Sequence, residues 1–461
     1  MTFGVAAVLI LAQAGRGAAG VAGQPRAPAA VGGGTSPLQR LIDVAPPGSR
    51  VVVPAGAYRG DLTIDKRLVV VGEGRPLLIG SGADSVVRIR ADGVVFEGFD
   101  IDGLGGGDLG RDASGVHVAA RDVVVRDCRI SRTLFGVYLR EANGTLVQGC
   151  RIRGIKNLQP GEKGSGIHVW NTDGFRLMAN DIADVRDGFY IQSSPHGYVA
   201  GNRARDLRYG LHYMFSDDNT FEDNVFATSD AGTALMYSER ITFRRNQFIH
   251  NRGFASVGLL FKECDDVVAE DNLLADNARG IFLEGSYRNL FRRNIVAESD
   301  SAIVLYDSSG QNRFEGNSFI GNFTPLTLVG RRTDTVFAGN YWSDNPSPDL
   351  DGDGMTDRPY RLSNVFDHLR GNVTAADLFA RRPAAAALAA AEQAFPVLDP
   401  VPVVDERPLA RPPALPAVPR VERRQAGVNV GGATSSAALL LMGLVLASAG
   451  ARRKRRREAL R

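Results

Sequence analysis

Three of the protein's six histidines and two of its six methionines stand at fixed distances after a glycine. His117, His168 and His212 each follow a glycine by two residues, and Met214 and Met236 each follow one by four. Imidazole nitrogen and thioether sulfur together favour copper, above all Cu(I), whereas calcium and magnesium prefer oxygen ligands. We therefore predict a copper site, with the metal held as Cu(I), at His168, His212, Met214 and Met236.

A second pattern that could bind a metal lies near residue 350. Asp349, Asp351, Asp353 and Asp357 occupy positions 1, 3, 5 and 9 of a segment with glycine at position 6. This spacing resembles a calcium-binding loop, although Tyr360 stands at position 12, where a bidentate glutamate is expected. We predict a calcium-stabilised turn; a solvated acidic turn is the alternative.

These side chains belong to a sequence that repeats about every 22 residues. Asparagine recurs at 180, 202, 224, 246, 272, 294, 317 and 340, and glycine at 115, 136, 166, 188, 210, 232, 258 and 280. A unit this short cannot hold a helix pair, but it accommodates two or three short strands. We predict an all-β fold, a right-handed, single-stranded parallel β-helix of about 12 to 13 rungs over residues 51–345, with about 4.8 Å between rungs.

The strand after each glycine decides where the candidate ligands point. Its first and third residues are apolar, as in Leu211 and Tyr213, and a period of two directs them into the core. The second residues then face outward, in the order His117, Tyr138, His168, Tyr190, His212, Ala234, Leu260 and Phe282. Met214 and Met236 lie beside this column, about 5 Å apart on adjacent rungs. The alternative is that the rings only stack on one another and that the methionines pack against a covering segment.

The segments outside the repeat predict an exported protein with an anchored end. We predict a signal peptide at 1–23, a linker and cap helix at 24–50, an acidic turn at 346–374, a docking helix at 375–395, a Pro-rich linker at 396–430, a transmembrane anchor at 431–451 and a basic cytoplasmic tail at 452–461. Two inserts, 103–112 and 156–164, interrupt the period, and inserts in repeat proteins map to loops on one face, often the binding face.

Charge and cysteine content narrow the function further. The net charge is +3, but the terminal ten residues contain seven Arg or Lys and one Glu, so the rest of the chain is slightly acidic. The overall basicity therefore gives no reason to expect nucleic-acid binding. Cys128 and Cys150 occupy the corner that asparagine fills in later rungs, and we expect stacked reduced thiols there, with Cys264 left single.

Several uncommon strings carry a resemblance to a known family. RYGLHYMFSDDN, GTALMYS, GLLFKEC, GIFLEGSYRN and YWSDNPSPDLDGDGMTDRPY closely resemble the NosD family of periplasmic copper-binding proteins, which take part in maturation of nitrous oxide reductase. The resemblance covers about residues 36–410. It implies a non-enzymatic β-helix in the periplasm that acts with the ATPase and permease subunits of an ABC transporter, a copper chaperone lipoprotein and nitrous oxide reductase. The hydrophobic anchor is not a feature that the resemblance implies.

Two other classes of function compete with this interpretation. Exported β-helices are commonly polysaccharide lyases, hydrolases or epimerases, which need paired carboxylates, or a base beside bound calcium, in an open groove. The His/Met/Tyr column lacks that pattern. A purely structural or adhesive solenoid is the third possibility, and it predicts neither metal uptake nor a specific partner.

Overall fold

The structure, a computed structural model, describes residues 36–253, 256–362 and 403–413. These residues form a parallel β-solenoid with three short strands in each turn. Strands of successive turns stack in register to give three long sheets, here called A, B and C in the order in which the chain visits them. Sheet B contains thirteen strands, so the prediction of an all-β parallel β-helix of about 12 to 13 rungs is confirmed.

The strands of sheet A are Arg50–Val53, Val69–Gly72, Val95–Glu97, Val124–Arg126, Leu146–Gln148, Arg176–Met178, Tyr198–Ala200, Thr220–Glu222, Thr242–Arg244, Val268–Glu270, Leu290–Arg292, Arg313–Glu315, Val336–Ala338, Val404–Asp405 and Tyr360–Arg361. Those of sheet B are Ala57–Arg59, Leu77–Ile79, Asp100–Asp102, Arg129–Ser131, Arg151–Arg153, Asp181–Ala183, Arg203–Arg205, Val225–Ala227, Gln247–Ile249, Leu273–Ala275, Ile295–Ala297, Ser318–Ile320 and Tyr341–Trp342. Those of sheet C are Leu62–Ile64, Val87–Ile89, Ser114–Val118, Phe135–Arg140, Ser165–Trp170, Asp187–Gln192, Tyr209–Met214, Ala231–Glu239, Leu259–Asp265, Arg279–Glu284, Ser301–Tyr306 and Thr324–Val329.

The core is filled by the inward residues of all three sheets. In sheet C the predicted inward positions are at most 1% exposed: Val116, Val118, Ile167, Val169, Leu211, Tyr213, Ile281 and Leu283. Phenylalanines of sheet A stack along the axis, as between Phe291 and Phe314, whose ring centroids are 4.5 Å apart. The alternation of apolar and polar residues therefore places the second residue after each glycine on the outside, as predicted.

The recurring asparagines form a hydrogen-bonded ladder at the turn between sheets A and B, here called the asparagine corner. Asn202 donates through its backbone N–H and its Nδ2 to Oδ1 of Asn224, at 3.0 and 2.9 Å. Asn224 Nδ2 also donates to the carbonyl oxygen of Val199 at 2.8 Å. The same pattern continues from Asn180 to Asn340. These side chains are fully buried and fully bonded, so their role is structural.

The recurring glycines allow adjacent turns of sheet C to approach closely. A Cβ atom on Gly210 would lie 2.6 Å from the carbonyl oxygen of Gly232 and 2.7 Å from the ring of Phe226 in the core. A side chain at the glycine position would therefore point inward, and so does the side chain of the next residue. The alternation between inward and outward positions is thus interrupted at each glycine. The residue before the glycine consequently lies on the outer side.

The N-terminal end of the solenoid is covered by the predicted cap helix, Pro37–Val44. The Ser36 side chain accepts a hydrogen bond from Gln39 N at 3.1 Å, and Leu38 and Ile42 are buried on the first turn. The Gln39 side chain pairs with the backbone of Thr63, donating at 2.9 Å and accepting at 2.8 Å. The helix thus supplies hydrogen-bond partners to the first strand of sheet C, which has no preceding strand to pair with.

The C-terminal end is closed by residues 403–413, which fall within the range predicted as a Pro-rich linker, 396–430. Here the structure differs from that prediction, because the strand Val404–Asp405 adds to sheet A beside Val336–Ala338. Asp405 is buried and accepts from the N–H and the Nδ2 of Asn340 at 2.9 and 3.0 Å. It also accepts from Gly339 N at 3.0 Å and Trp342 Nε1 at 3.2 Å. A carboxylate thereby takes the place of the next asparagine.

The three cysteines occupy corner positions of the solenoid. Cys128, Cys150 and Cys264 are free and buried. Cys150 N donates to Oδ1 of Asn180 at 3.0 Å, which places the Cys128–Cys150 pair at the asparagine corner, as predicted. Contact with the Cys150 thiol, together with burial, raises the pKa of Cys128, and burial raises the pKa of Cys264 to about 12.

Several predicted segments lie outside the described residues: the signal peptide 1–23, the docking helix 375–395, the anchor 431–451 and the tail 452–461. Among the residues that are described, the only α-helix has eight residues. No helix in these residues is long and apolar enough to cross a bilayer.

Candidate functional site

The outer face of sheet C carries an alternating column of imidazole and phenol rings. Strand register pairs the rings in the order His117, Tyr138, His168, Tyr190 and His212. The first three ring contacts are stacked, with centroid distances of 5.3, 4.4 and 4.5 Å and interplanar angles of 21°, 6° and 17°. The last contact is edge to face, at 4.8 Å and 84°. The predicted column is formed, and its geometry changes at His212.

The inserts cover the first part of this column. Each contains a short 3-10 helix, Leu109–Arg111 or Pro160–Glu162. Leu109 and Leu158 pack against a cluster that includes Phe135 and Tyr138. Tyr138 is consequently 7% exposed, and burial raises its pKa to about 12.

His168 lies beneath the same cover. The Phe135 ring meets it edge to face at 5.3 Å. Its Nδ1 atom is buried and has no hydrogen-bond partner among the described residues. Burial, with a smaller contribution from the charge of Arg186, lowers the pKa of His168 to about 3. Burial also lowers the pKa of His117. Both rings are therefore neutral near neutral pH and are held mainly by packing.

His212 has a different environment, because it faces a buried carboxylate. Its Nδ1 lies 3.4 Å from Oδ2 of Asp187, and Arg208 binds both oxygens of that carboxylate, at 2.9 and 2.6 Å. Burial acts to raise the pKa of Asp187, but the hydrogen bonds from His212 and Arg208 outweigh it and hold the pKa below its ordinary value. Arg208 Nη2 is also 3.3 Å from His212 Nδ1. His212 Nδ1 donates to the ionised carboxylate of Asp187 in one tautomer and accepts from Arg208 in the other, and the first tautomer leaves the lone pair of Nε2 for a metal.

Met214 and Met236 lie next to His212 on the open part of the face. They are direct neighbours in the strand register, so their backbones are about 4.8 Å apart. Both side chains are half-buried. In the next turn their position is taken by Lys262, whose Nζ lies 3.2 Å from Glu284. Polar residues thus bound the pair of thioethers on that side.

The four predicted copper ligands share a face but do not form one cluster. His168 and His212 are two rungs apart, about 9.6 Å along the axis, and the ring of Tyr190 lies between them. Two imidazole nitrogens that bind the same ion lie within about 4 Å of each other. The strand register therefore places His212, Met214 and Met236 at neighbouring positions and leaves His168 two rungs away from His212.

Asp187 and Arg208 are residues of this site that sequence reasoning missed. Counting by twos from the inward residues of its strand places residue 187 in the core. The break of the period at Gly188 turns its carboxylate to the outer side, where it meets His212. An aspartate directly before a repeat glycine was the available signal.

The acidic loop brings three of its four predicted ligands together. Carboxylate oxygens of Asp349, Asp351 and Asp353 lie within 4.8 Å of one another. Asp357 lies outside this group and accepts a hydrogen bond from Leu350 N at 3.0 Å. Asp353 also forms an ion pair with Arg407, at 2.9 Å, so the loop is tied to the segment that closes the solenoid.

Comparison with known proteins gives consistent results. Residues 154–348 match the family model described as "Periplasmic copper-binding protein (NosD)". A Pseudomonas aeruginosa protein named "Probable ABC transporter binding protein NosD" is 30% identical over 378 residues, which cover 78% of this chain and 88% of the relative. A Stutzerimonas stutzeri protein of the same name is 29% identical, covering 78% of this chain and 86% of the relative.

Solved structures resemble the solenoid alone. The A-module of the Azotobacter vinelandii mannuronan C-5 epimerase AlgE4 superposes with a TM-score of 0.55 and 14% identity, over 65% of this chain and 94% of that module. A family 28 exopolygalacturonase of Yersinia enterocolitica gives 0.50 and 12%, over 64% and 73%. At these identities the likeness concerns the fold and not the activity.

Proposed function

Because this chain belongs to the NosD family, we propose that it is a periplasmic protein that binds Cu(I) on the outer face of sheet C and acts with an ABC transporter in maturation of the copper centre of nitrous oxide reductase. The observation that carries the proposal is the grouping of His212, Met214 and Met236 on the part of the face that the inserts leave open. Copper is the cargo of the protein here, and it arrives and leaves through this face.

The chemistry of these three side chains suits Cu(I). Two thioethers and one neutral imidazole are soft, uncharged ligands that favour Cu(I) over harder divalent ions. The fit requires a free imidazole nitrogen, and Nε2 of His212 has no hydrogen-bond partner among the described residues. Three ligands would leave room for a ligand from a donor or acceptor protein, as a carrier of a metal cargo requires.

In this proposal His168 is a structural residue and does not bind copper. Its unbonded Nδ1 faces a buried environment, and its ring is held between those of Tyr138 and Tyr190. It keeps the column aligned up to the point where His212 turns its ring.

The association with an ABC transporter is proposed from the names of the two relatives. A copper chaperone lipoprotein and nitrous oxide reductase would be the donor and acceptor of the ion. A sugar enzyme is less well supported, because Asp187, the carboxylate that faces His212, is fully buried and bound by Arg208. Paired carboxylates in an open groove are what that chemistry requires.

The test is a competition titration of Cu(I) with a chromophoric chelator. The triple variant His212→Ala, Met214→Leu, Met236→Leu is expected to lose at least tenfold in affinity. The two Met→Leu changes should affect folding little because Leu and Met have similar volumes, and the melting temperature of the variant checks the His212→Ala change beside Asp187. The matched control is His196→Ala, Met178→Leu, which changes a histidine and a methionine on other parts of the solenoid. A triple variant that retains full affinity would place the site elsewhere. Adding His168→Phe to the wild type is expected to leave the affinity unchanged.

A further inference from the structure

Two aromatic residues occupy a backbone position that aromatic residues rarely adopt. Phe215 and Tyr237 directly follow Met214 and Met236, and their φ angles are 50° and 54°. In this left-handed region the Cβ atom crowds the backbone, so a bulky side chain is unfavourable there. Among the described non-glycine residues with positive φ, these two are the only ones with a Phe, Tyr or Trp side chain.

The fold does not require aromatic side chains at this corner. The register places other residues at the same position in neighbouring turns, all with φ between 49° and 59°: Glu141, Asn171, Ser193, Glu263 and Gly285. Phe215 and Tyr237 are 54% and 40% exposed, so they add little to the core. Their rings stack on each other at 5.0 Å with an interplanar angle of 9°. Unfavourable backbone placement combined with exposure points to a role in binding.

The charges around the aromatic pair are mainly acidic. Arg240 is held by three carboxylates, those of Asp217, Asp218 and Glu239. Glu263, which takes the same corner position in the next turn, is exposed. The patch is thus surrounded by four carboxylates and only two cations, Arg240 and Lys262. Lys262 is itself paired with a further carboxylate, that of Glu284. The rim of the patch carries net negative charge.

We propose that Phe215 and Tyr237 are the centre of a docking surface for a separate protein whose contact surface is apolar in the middle and basic at the rim. Exposed aromatic residues surrounded by a polar rim are typical of the residues that dominate binding energy at interfaces. Opposite charges on the two rims would orient the partner and speed association. A second copy of this chain does not fit, since it would present the same acidic rim. Direct adjacency to Met214 and Met236 makes this partner the one that exchanges copper with them; that last step rests on the proposed function.

The first experiment uses a double variant, Phe215→Asn, Tyr237→Asn, in the full-length protein. Asparagine is the residue found at this corner two turns earlier, at Asn171, so the melting temperature is expected to stay the same or rise. Its Cu(I) affinity in vitro should equal that of the wild type. The copper content of the protein isolated from its own cells should fall at least fivefold.

The matched control is Phe323→Asn, Val336→Asn, which removes two exposed apolar residues away from this corner and should leave the copper content unchanged. Undiminished copper content in the corner variant would overturn the proposal. Loss of affinity in vitro would overturn it as well, because the rings would then belong to the metal site itself.

The second experiment does not depend on copper. A photo-crosslinking residue, p-benzoylphenylalanine, replaces Phe215 or, as control, the exposed Val336 on sheet A. The expected result is an adduct between position 215 and a different protein, and the cross-linked peptide of that protein should be rich in Lys and Arg. The adduct should not form when the irradiation is carried out in 0.5 M NaCl. The adduct should weaken severalfold with Glu239→Gln, Glu263→Gln. No adduct beyond that of the Val336 control, an acidic cross-linked peptide, or an adduct with a second copy of the chain would overturn the docking surface even if the copper proposal stands.

Discussion

The asparagine corner and the outer column of sheet C run along the same solenoid with the same period, but they differ in what each turn contributes. At the asparagine corner every turn from residue 180 to 340 supplies the same residue, and each side chain has its partners. In the outer column the residues change from turn to turn, and a nitrogen of His168 is buried without a partner.

This difference indicates that the repeated asparagine serves the fold, whereas the outer column does not have to. Inside the solenoid one side chain must complete the backbone hydrogen bonds of its neighbours, so a single residue type fits. On the outer face no such requirement exists, and the residues are free to serve binding. His212 makes the transition visible, because the stacked rings end there and the thioethers begin.

The comparison predicts its largest effect at the centre of the ladder. Asn246→Ala removes bonds from Nδ2 to Phe221 O (2.9 Å) and to Asn272 Oδ1 (3.1 Å). It also leaves Asn224 without the Oδ1 acceptor that it reaches at 3.0 and 2.9 Å. Buried unsatisfied groups cost about 1–3 kcal/mol each, so we expect a loss of about 3–5 kcal/mol in the free energy of unfolding.

The matching change in the outer column is Tyr190→Phe, which removes only a half-buried hydroxyl that donates to Gln192 at 2.8 Å. It should cost less than about 1 kcal/mol. Denaturant unfolding of both variants measures the difference. Equal losses would contradict the division between structural corner and functional face.

A somewhat smaller effect is expected where the ladder ends. Asp405→Ala removes the acceptor of four hydrogen bonds from Gly339, Asn340 and Trp342. Because these groups lie at the end of the solenoid, water can reach part of them after the change, and we expect a loss of about 2–4 kcal/mol. Glu406→Ala, at the exposed neighbouring position, is the control and should have little effect. If both variants unfold alike, Asp405 does not continue the ladder.

The period predicted the fold because the corner needs the same residue in every turn, and a repeated requirement is visible in one sequence. The grouping of His212 with the two methionines was predictable for the same reason, since register follows from spacing. The separation of His168 from His212 by the Tyr190 rung was also predictable from the column order, whereas the cover over Phe135 and Tyr138 was not, because no periodicity describes the path of the inserts. Asp187 was missed because the alternation of sides breaks at a glycine, and Asp405 because it belongs to the ladder without belonging to the repeat.

The half-buried imidazole of His168, whose Nδ1 atom is buried, should make stability depend on pH. The pKa of His168 is about 3 in the folded protein and about 6.5 when the chain is unfolded, so between these values the unfolded chain binds more protons. Its contribution is therefore complete above about pH 6.5 and is lost progressively as the pH falls toward 3.

His168→Phe keeps a ring between Tyr138 and Tyr190 but cannot be protonated. From pH 7 to pH 4 the wild type should lose about 1–3 kcal/mol more of its free energy of unfolding than this variant, less than the full shift because the site retains some access to water. Tyr190→Phe alters the neighbouring ring but removes no group that titrates between pH 4 and pH 7, so it should follow the wild type. Parallel pH curves for wild type and His168→Phe would show that the surroundings of His168 do not lower its pKa.

The smallest expected effect concerns the acidic loop, where the segment that ends the ladder also meets a candidate ion site. Extracellular calcium sites of this kind bind with dissociation constants of about 0.1–1 mM. Binding to the folded state alone would then add about 0.4–1.4 kcal/mol at 1 mM calcium, which corresponds to a rise of about 1–3 °C in melting temperature. Asp351→Asn, Asp353→Asn should abolish this rise, whereas Asp357→Asn, outside the three converging carboxylates, should reduce it less. Arg407→Gln removes the cation that competes for Asp353, so the rise should become larger in that variant. A wild-type melting temperature that does not respond to calcium would leave the loop as a solvated turn in which Asp353 pairs with Arg407.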